Sequence, residues 1–369
     1  MSEYRIESMS EQRSFSHLFS GFTLKGFRVK NRIVFPPMVC FGYTDDNGFV
    51  SPRHLEHYRL RAESGAGIII TEATAINKNG RTAPSQLGVW SDEHIAGLSE
   101  IATIVRGHGA VSLLQIHHAG LVSPPSVNPV PAGPSAEKDK PASRELTLGE
   151  IRDVTRNFIL GAHRAREAGF DGVELHGAHG YLLNQFANPL WNHRTDEFGG
   201  GFENRIRLAT DIIRGIRENC GTDFILGYRL GANTPLLEDG IRVALYLESL
   251  GIDYLHISHG GSLQNLPRPP KDFEYNWIVY SGVRVKQNVS LPVIVVNEIK
   301  TPERANYLIG SGQADFVSLG RPQLADPHWV RHIQHGEEIN ICLSCKPRCR
   351  WYESSDLCPA QKKLKEKAN

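Results

Sequence analysis

Eight short runs dominated by Val, Ile and Leu recur along the chain, each followed by a longer polar or amphipathic stretch. They are RIVFPPM (32–38), GIIITE (67–72), VSLLQIH (111–117), GVELHGA (172–178), FILGYRL (224–230), YLHISHG (254–260), PVIVVNE (292–298) and FVSLGR (316–321). Short runs without polar alternation are what strands buried on both faces require. The stretches between them read as helices. In 148–168, Ile151, Val154, Phe158, Ala162 and Ala165 fall at helical spacing, with Thr147 and Glu150 in a capping-box pattern before them and Gly169 as a stop. Residues 204–219 repeat that logic. Strand alternating with helix implies a parallel sheet with right-handed crossovers. Eight repeats favour closure into an α/β (β/α)8 barrel, the TIM-barrel architecture. The pattern alone also allows an open doubly wound sheet; against it, the nucleotide fingerprint G-x-G-x-x-G does not follow the first strand.

A chain of 369 residues would ordinarily divide into two or three domains, but a barrel of this size folds as one. We therefore expect a barrel over 1–340 and a short cysteine-rich appendage over 341–369. The Pro- and Ser-rich segment 121–146 reads as a long surface loop over one end of the barrel. A formal net charge of +1 gives no field to recruit nucleic acid or an anionic membrane. No apolar run approaches the ~18 residues of a membrane span. The polar opening MSEYRIESMSEQRSF has no secretory h-region, so a cytoplasmic location is expected.

Barrels of this kind place their chemistry at the C-terminal ends of the strands. Those ends carry Pro36-Pro37-Met38, Glu72-Ala73-Thr74, Gln115-Ile116-His117-His118, His176 through Tyr181, Arg229, Asn297-Glu298 and Gly320-Arg321. His176 and His179 are three apart, with the Tyr181 phenol two residues on. Two imidazole N–H groups on one carbonyl or nitro oxygen would polarise a conjugated C=C bond, and a phenol could protonate its other carbon. The same pair could equally be hydrogen-bonding core residues. A guanidinium lining a barrel needs an anionic partner. For Arg229 that is either the electron-rich pyrimidine edge of a flavin or a buried carboxylate, Glu72 or Glu174. Gly320-Arg321 stands where such barrels hold phosphate.

Together these residues resemble the old yellow enzyme family of FMN-dependent ene-reductases, from about Leu18 to about Asp326. The stretch GVELHGAHGYLLNQFANPLWNHRTDEFGGGFENR (172–205) carries most of the likeness, supported by NRIVFPPM (31–38), ITEATAI (70–76), WSDEHI (90–95) and ADFVSLGRP (314–322). The resemblance implies that Pro36, Pro37 and Met38 line one side of FMN. It places Ala73 and Gln115 at the pyrimidine, Arg229 near N1, and Gly320 and Arg321 at the phosphate. His176 and His179 would hold the activating oxygen of an enone or enoyl substrate, and Tyr181 would be the proton donor, with NAD(P)H as reductant. The sequence departs from the family in two places. Val39 follows the strand-one Met where one bacterial branch has Cys, so Cys40 receives no redox role. Asn297 and Glu298 stand where many members have paired glycines for the phosphate; a backbone N–H at Asn297 can still serve, and N-x-I there is similar to bacterial 2,4-dienoyl-CoA reductases.

Cys342, Cys345, Cys349 and Cys358 have the spacing C-x2-C-x3-C-x8-C. Four thiolates so spaced can ligate zinc or an iron–sulfur cluster. The segment resembles the [4Fe–4S] region of dienoyl-CoA reductases and trimethylamine dehydrogenase, with a shorter final gap. The resemblance implies that a cluster here would relay electrons to or from a partner protein, or be a relic, because the FAD- and NADPH-binding domains of those enzymes do not follow. Physiological substrate, NADH versus NADPH and homo-oligomer formation are left open.

Overall fold

The computed structural model describes residues 15–137, 139, 142–262 and 264–368. The polar opening segment, up to residue 14, lies outside them. A hairpin of β1 (Phe22–Leu24) and β2 (Phe27–Val29) precedes the first barrel strand, β3 (Ile33–Phe35). Then follow α1 (Pro52–Ser64), β4 (Ile68–Ala75), α2 (Ile95–Gly107), β5 (Val111–His117), β6 (Ala132–Gly133) and β7 (Arg144–Glu145). Next are α3 (Leu148–Glu167), β8 (Gly172–Gly177), α4 (Leu182–Ala187), α5 (Phe202–Cys220), β9 (Ile225–Gly231), α6 (Leu237–Ser249) and β10 (Tyr254–Ser258). The chain ends through α7 (Trp277–Lys286), β11 (Val293–Val296), α8 (Pro302–Gly310), β12 (Phe316–Ser318), α9 (Gly320–Ala325), α10 (Trp329–His335) and α11 (Pro359–Ala368).

All eight apolar runs form strands of one closed parallel barrel, ordered β3-β4-β5-β8-β9-β10-β11-β12 and back to β3. Two of them end sooner than their apolar runs. Strand β3 stops at Phe35 because Pro36 and Pro37 have no N–H to continue the ladder. Strand β11 stops at Val296 because Asn297 and Glu298 turn left-handed, at φ 96° and 54°. Helix α3 begins as expected: the Thr147 side chain accepts from Glu150 N, and Glu150 reaches back to Thr147 N. Among the described residues, no helix is long and apolar enough to cross a membrane.

The segment 121–146 is not simply a surface loop. Strands β6 and β7 pair within it, and Ala132, Gly133 and Ser135 are buried. The buried Arg194 guanidinium donates to Pro134 O (3.1 Å) and Leu146 O (2.7 Å), pinning the middle and the C-terminal end of this insert to the loop between α4 and α5.

The barrel interior is layered. Val34, Ile68, Ile70, Val111, Leu113, Ile225, Ile294 and Phe316 fill one end, which the hairpin plugs with Leu24 and Val29. Above them lies a polar layer centred on Glu174, which has no contact with solvent. Its carboxylate accepts from Gln115 Nε2 (2.7 Å) and the Tyr254 hydroxyl (3.1 Å), and pairs with His256 Nδ1 (3.0 Å). Burial raises its pKa, but His256, Arg229 and Gln115 outweigh that and hold it below the usual carboxylate value. Gly227 makes the layer fit. A Cβ there would stand 2.0 Å from the Tyr254 ring. We expect Gly227→Ala to destabilise the barrel by about 1–3 kcal/mol through overpacking, read as a lowered thermal midpoint; an unchanged midpoint would show that the Tyr254 ring can move freely.

Candidate active site

At the C-terminal rim the strands open into one cavity of about 860 Å³. Every residue assigned from sequence to the flavin or to the substrate lines it: Pro36, Pro37, Met38, Ala73, Gln115, His176, His179, Tyr181, Arg229, Asn297, Gly320 and Arg321. These side chains come from seven different strands or the loops that follow them, as the geometry of a parallel barrel dictates. Cys40 is buried and does not line the cavity, whereas Val39 does.

The turn after β8 is held in an uncommon backbone form. His179 and Gly180 are both left-handed, at φ 60° and 73°. His179 N donates to His259 O (2.9 Å), and Asn184 Oδ1 accepts from Gly180 N (3.0 Å) and Gly261 N (3.2 Å). Left-handed non-glycine residues concentrate at functional sites because the surrounding bonds must over-determine them. Here the bonds present His176, His179 and Tyr181 together. The His176 ring lies 4.9 Å from His179 and 4.7 Å from Tyr181, edge to face in both cases.

The two imidazoles are chained rather than side by side. His176 Nδ1 accepts from Ala178 N (3.4 Å), which assigns the ring proton to Nε2. That nitrogen faces His179 Nδ1 at 3.2 Å, and His179 Nε2 faces Ser258 Oγ at 2.7 Å. Burial and neighbouring cationic or ionisable groups, His179 for His176 and Arg229 for His179, push both imidazoles well below the usual value. Both are therefore neutral N–H donors at physiological pH. Burial pushes the Tyr181 phenol up to about 12, so it keeps its proton.

Arg229 resolves between the two partners that its sequence position left open. Glu72 is engaged elsewhere, accepting from Cys40 N (3.0 Å) and facing His54 Nε2 (3.4 Å). Glu174 contributes a favourable field but no salt bridge to Arg229 within 4 Å among the described residues. Arg229 Nε is buried without a hydrogen-bond partner. A guanidinium so placed fits an electron-rich ligand edge in the cavity. Ser318 Oγ, likewise buried and unpartnered, lines the same space. Cationic groups gather near the Gly320 end: Arg321 and Lys300 both pair with Glu298, and Arg348 lines the wall. Donors, volume and charge fit a tricyclic ring with an anionic tail.

Sequence reasoning missed part of the site. Ser258 ends β10 and His259 follows it, in the run YLHISHG, whose polar end was itself the available signal. Arg348, Cys349 and Tyr352 also line the cavity, and nothing local in the sequence places them there. The cysteine-rich segment reaches the barrel through Trp351, which is 1% exposed, packs its ring 5.5 Å from His57 and donates Nε1–H to Val39 O (2.8 Å). Cys342, Cys345, Cys349 and Cys358 are free thiols lining one small space with Arg321, Leu324 and Arg350. The four-thiol donor set fits a soft metal centre. No three of these sulfurs lie within 4.8 Å of one another, whereas tetrahedral zinc with ~2.3 Å bonds would bring them closer. Another trio, Cys40, His54 and Glu72, is compact. There His54 Nδ1 accepts from Ser51 N (3.1 Å), which leaves the ring proton on Nε2 facing Glu72. The hydrogen bond within the trio is that from Cys40 N to Glu72 Oε2, which braces the loop after β3; His54 Nε2 and Glu72 Oε1 approach without one.

Comparison with known proteins follows the same lines. Residues 17–340 match the sequence profile described as the NADH:flavin oxidoreductase / NADH oxidase family. The NADH oxidase of Thermoanaerobacter brockii is 39% identical over 353 residues, covering 91% of this chain and 54% of that protein, so the chain spans about half of its length. The NADPH dehydrogenase of Halalkalibacterium halodurans is 36% identical over 321 residues, 85% of this chain and 93% of its own. Among solved structures, a 2-naphthoyl-CoA reductase in complex with 2-naphthoyl-CoA superposes with a TM-score of 0.83 at 27% identity, over 92% of this chain and 55% of that one. An old yellow enzyme homologue from Zymomonas mobilis gives 0.77 at 29% identity, over 88% and 94%.

Trp351→Ala should release the segment that carries Arg348 and Tyr352 while leaving the barrel folded. Limited proteolysis should then cut within 341–358 faster than in the parent at unchanged far-UV circular dichroism. Equal cutting rates would show that the indole is not the anchor.

Proposed function

Because the chain belongs to the NADH:flavin oxidoreductase / NADH oxidase family, we propose that it is an FMN-dependent ene-reductase acting on α,β-unsaturated carbonyl or related activated alkenes. The convergence of His176, His179, Tyr181 and an unpaired Arg229 on one cavity carries this reading. Pro36, Pro37, Met38, Ala73, Gln115, Arg229 and Asn297 would hold the ring and chain of FMN, and Gly320 and Arg321 its phosphate. When bound, FMN supplies hydride to one carbon of the C=C bond after reduction by NAD(P)H.

The protein's own part is positioning and proton supply. Neutral His176 and His179 can each turn an N–H toward the substrate's carbonyl or nitro oxygen, exchanging the bond between the rings, or that to Ser258, for one to the ligand. Hydrogen bonds aimed at that oxygen strengthen as negative charge builds there. The Tyr181 hydroxyl donates its proton to the second carbon, and a phenol held near 12 is a willing donor only once that carbon carries anionic character. Arg229 balances charge at the electron-rich edge of the ring. The division into an FMN-binding barrel (1–340) and a cysteine-rich segment (341–369) belongs to the same proposal.

A second reading rests on the four cysteines. Cys349 and Arg321 line both the thiol-bounded space and the main cavity. A [4Fe–4S] cluster held by Cys342, Cys345, Cys349 and Cys358 would lie beside the flavin site. The protein would then exchange electrons with a separate carrier, in the manner of a dienoyl-CoA reductase or an amine dehydrogenase.

His176→Ala and His179→Ala should weaken phenolic ligands and enone turnover with FMN retained; unchanged turnover in both removes the oxygen-holding role. Tyr181→Phe should slow the oxidative half-reaction far more than flavin reduction in stopped-flow, and equal slowing of both would exclude the proton-donor role. With both imidazoles shifted down and the phenol shifted up, the oxidative half-reaction should show no break from about pH 6 to about pH 9. A break near the ordinary imidazole value would mean that His176 or His179 titrates during turnover. Anaerobic purification should yield iron and acid-labile sulfide that Cys349→Ser loses. Stoichiometric zinc, or no metal, would exclude the cluster.

A further inference from the structure

The cavity has an aromatic rim that the barrel does not supply. Tyr352, from the cysteine-rich segment, lines it together with Phe41, which follows β3. The two rings meet edge to face with centroids 6.1 Å apart. Tyr352 is 54% exposed, a large ring turned to the opening and not drawn into the core. It is nevertheless held in place. Tyr352 N donates to Cys349 O (3.2 Å), Trp351 Nε1 donates to Val39 O (2.8 Å), and Ser355 N donates to Phe41 O (3.3 Å). Both the residue before Tyr352 and a residue just after it are thus tied to the one loop that carries Phe41. Tyr352 also contributes to the electrostatic surroundings of Tyr181 and Arg229, which puts it close to the reacting groups.

A fixed, half-exposed pair of rings at a cavity mouth offers a face that only some ligands can use. Any carbonyl oxygen can take the histidine N–H groups. Only a ligand with its own extended π system gains from stacking or edge contact with Tyr352 and Phe41. We propose that Tyr352 touches the substrate and sets its class, favouring planar, aryl-substituted or extensively conjugated carbonyl compounds over small alicyclic enones. This rests on the ene-reductase reading above. The segment spaced by the four cysteines therefore forms part of the substrate wall, whatever those cysteines hold.

The test uses the FMN-loaded full chain as parent, Tyr352→Phe and Tyr352→Leu. Each is titrated with 4-hydroxybenzaldehyde and with cyclohex-2-enone, and binding is read from the change in flavin absorbance. Tyr352→Leu keeps an apolar side chain of similar reach but has no π face. It should weaken the aryl ligand roughly five- to ten-fold and leave cyclohexenone within about two-fold, while Tyr352→Phe binds both like the parent. Equal weakening of the two ligands by Tyr352→Leu would make the residue merely structural and overturn the proposal. So would a loss in Tyr352→Phe as large as in Tyr352→Leu, because the hydroxyl and not the ring face would then be the contact. If both ligands bind and neither variant alters the ratio, the class assignment fails while the ene-reductase reading stands. If the parent binds neither ligand, that reading fails first and this one with it.

Discussion

A carboxylate without access to water stands in the middle of the barrel, and the site is built on it. Stripping an ionised carboxylate of solvent costs several kcal/mol unless hydrogen bonds and opposite charge replace the water. Glu174 has three bonded partners, from β5 and β10, with Arg229 adding a favourable field. Satisfying it dictates where Gln115, Tyr254 and His256 must point. Gln115 and Arg229 then form the floor of the cavity above. Below that layer the interior is hydrocarbon closed by a hairpin; above it the interior is open and polar. The boundary between scaffold and site is this one layer.

What stands above it is tuned by burial more than by pairing. His176, His179 and Tyr181 each have their charged form disfavoured, the imidazoles by desolvation and by Arg229 or one another, the phenol chiefly by desolvation. A cluster of three titratable groups thereby becomes a set of neutral hydrogen-bond donors across the physiological range. The left-handed turn at His179 and Gly180 serves the same end. It brings two side chains three residues apart, and a third two residues on, to a single point that neither a straight strand nor a helix would reach.

The cysteine-rich segment is joined to this site through backbone and indole contacts with the loop after β3, the loop that also supplies Pro36, Pro37 and Met38. Glu72 braces that loop from the barrel side through Cys40 N. One wall of the cavity is therefore clamped between a buried carboxylate and a buried tryptophan, so the position of the thiols and the shape of the substrate opening depend on the same few bonds. Lys300 adds a further link: it pairs with Glu298 at the cavity and donates to Ser344 (2.7 Å), between Cys342 and Cys345.

Strand number, strand order along the chain, barrel closure and the rim that bears the chemistry were legible in the residues alone. Apolar runs and helical spacing are local properties, and a parallel barrel converts chain order directly into position around a ring. Pro36, Ala73, Gln115, His176, Arg229 and Arg321 each follow or end an apolar run, which is why all could be named. Tertiary structure alone decided three things. It decided that Arg229 has no carboxylate on it, since Glu72 and Glu174 were equivalent candidates until their own partners were seen. It decided that His176 and His179 form a chain ending on Ser258, because a bond between residues 79 positions apart has no local signature. It decided that Arg348 and Tyr352 belong to the cavity, because that depends on where Trp351 docks, and docking reflects the burial of one indole against residues some 300 positions earlier in the chain.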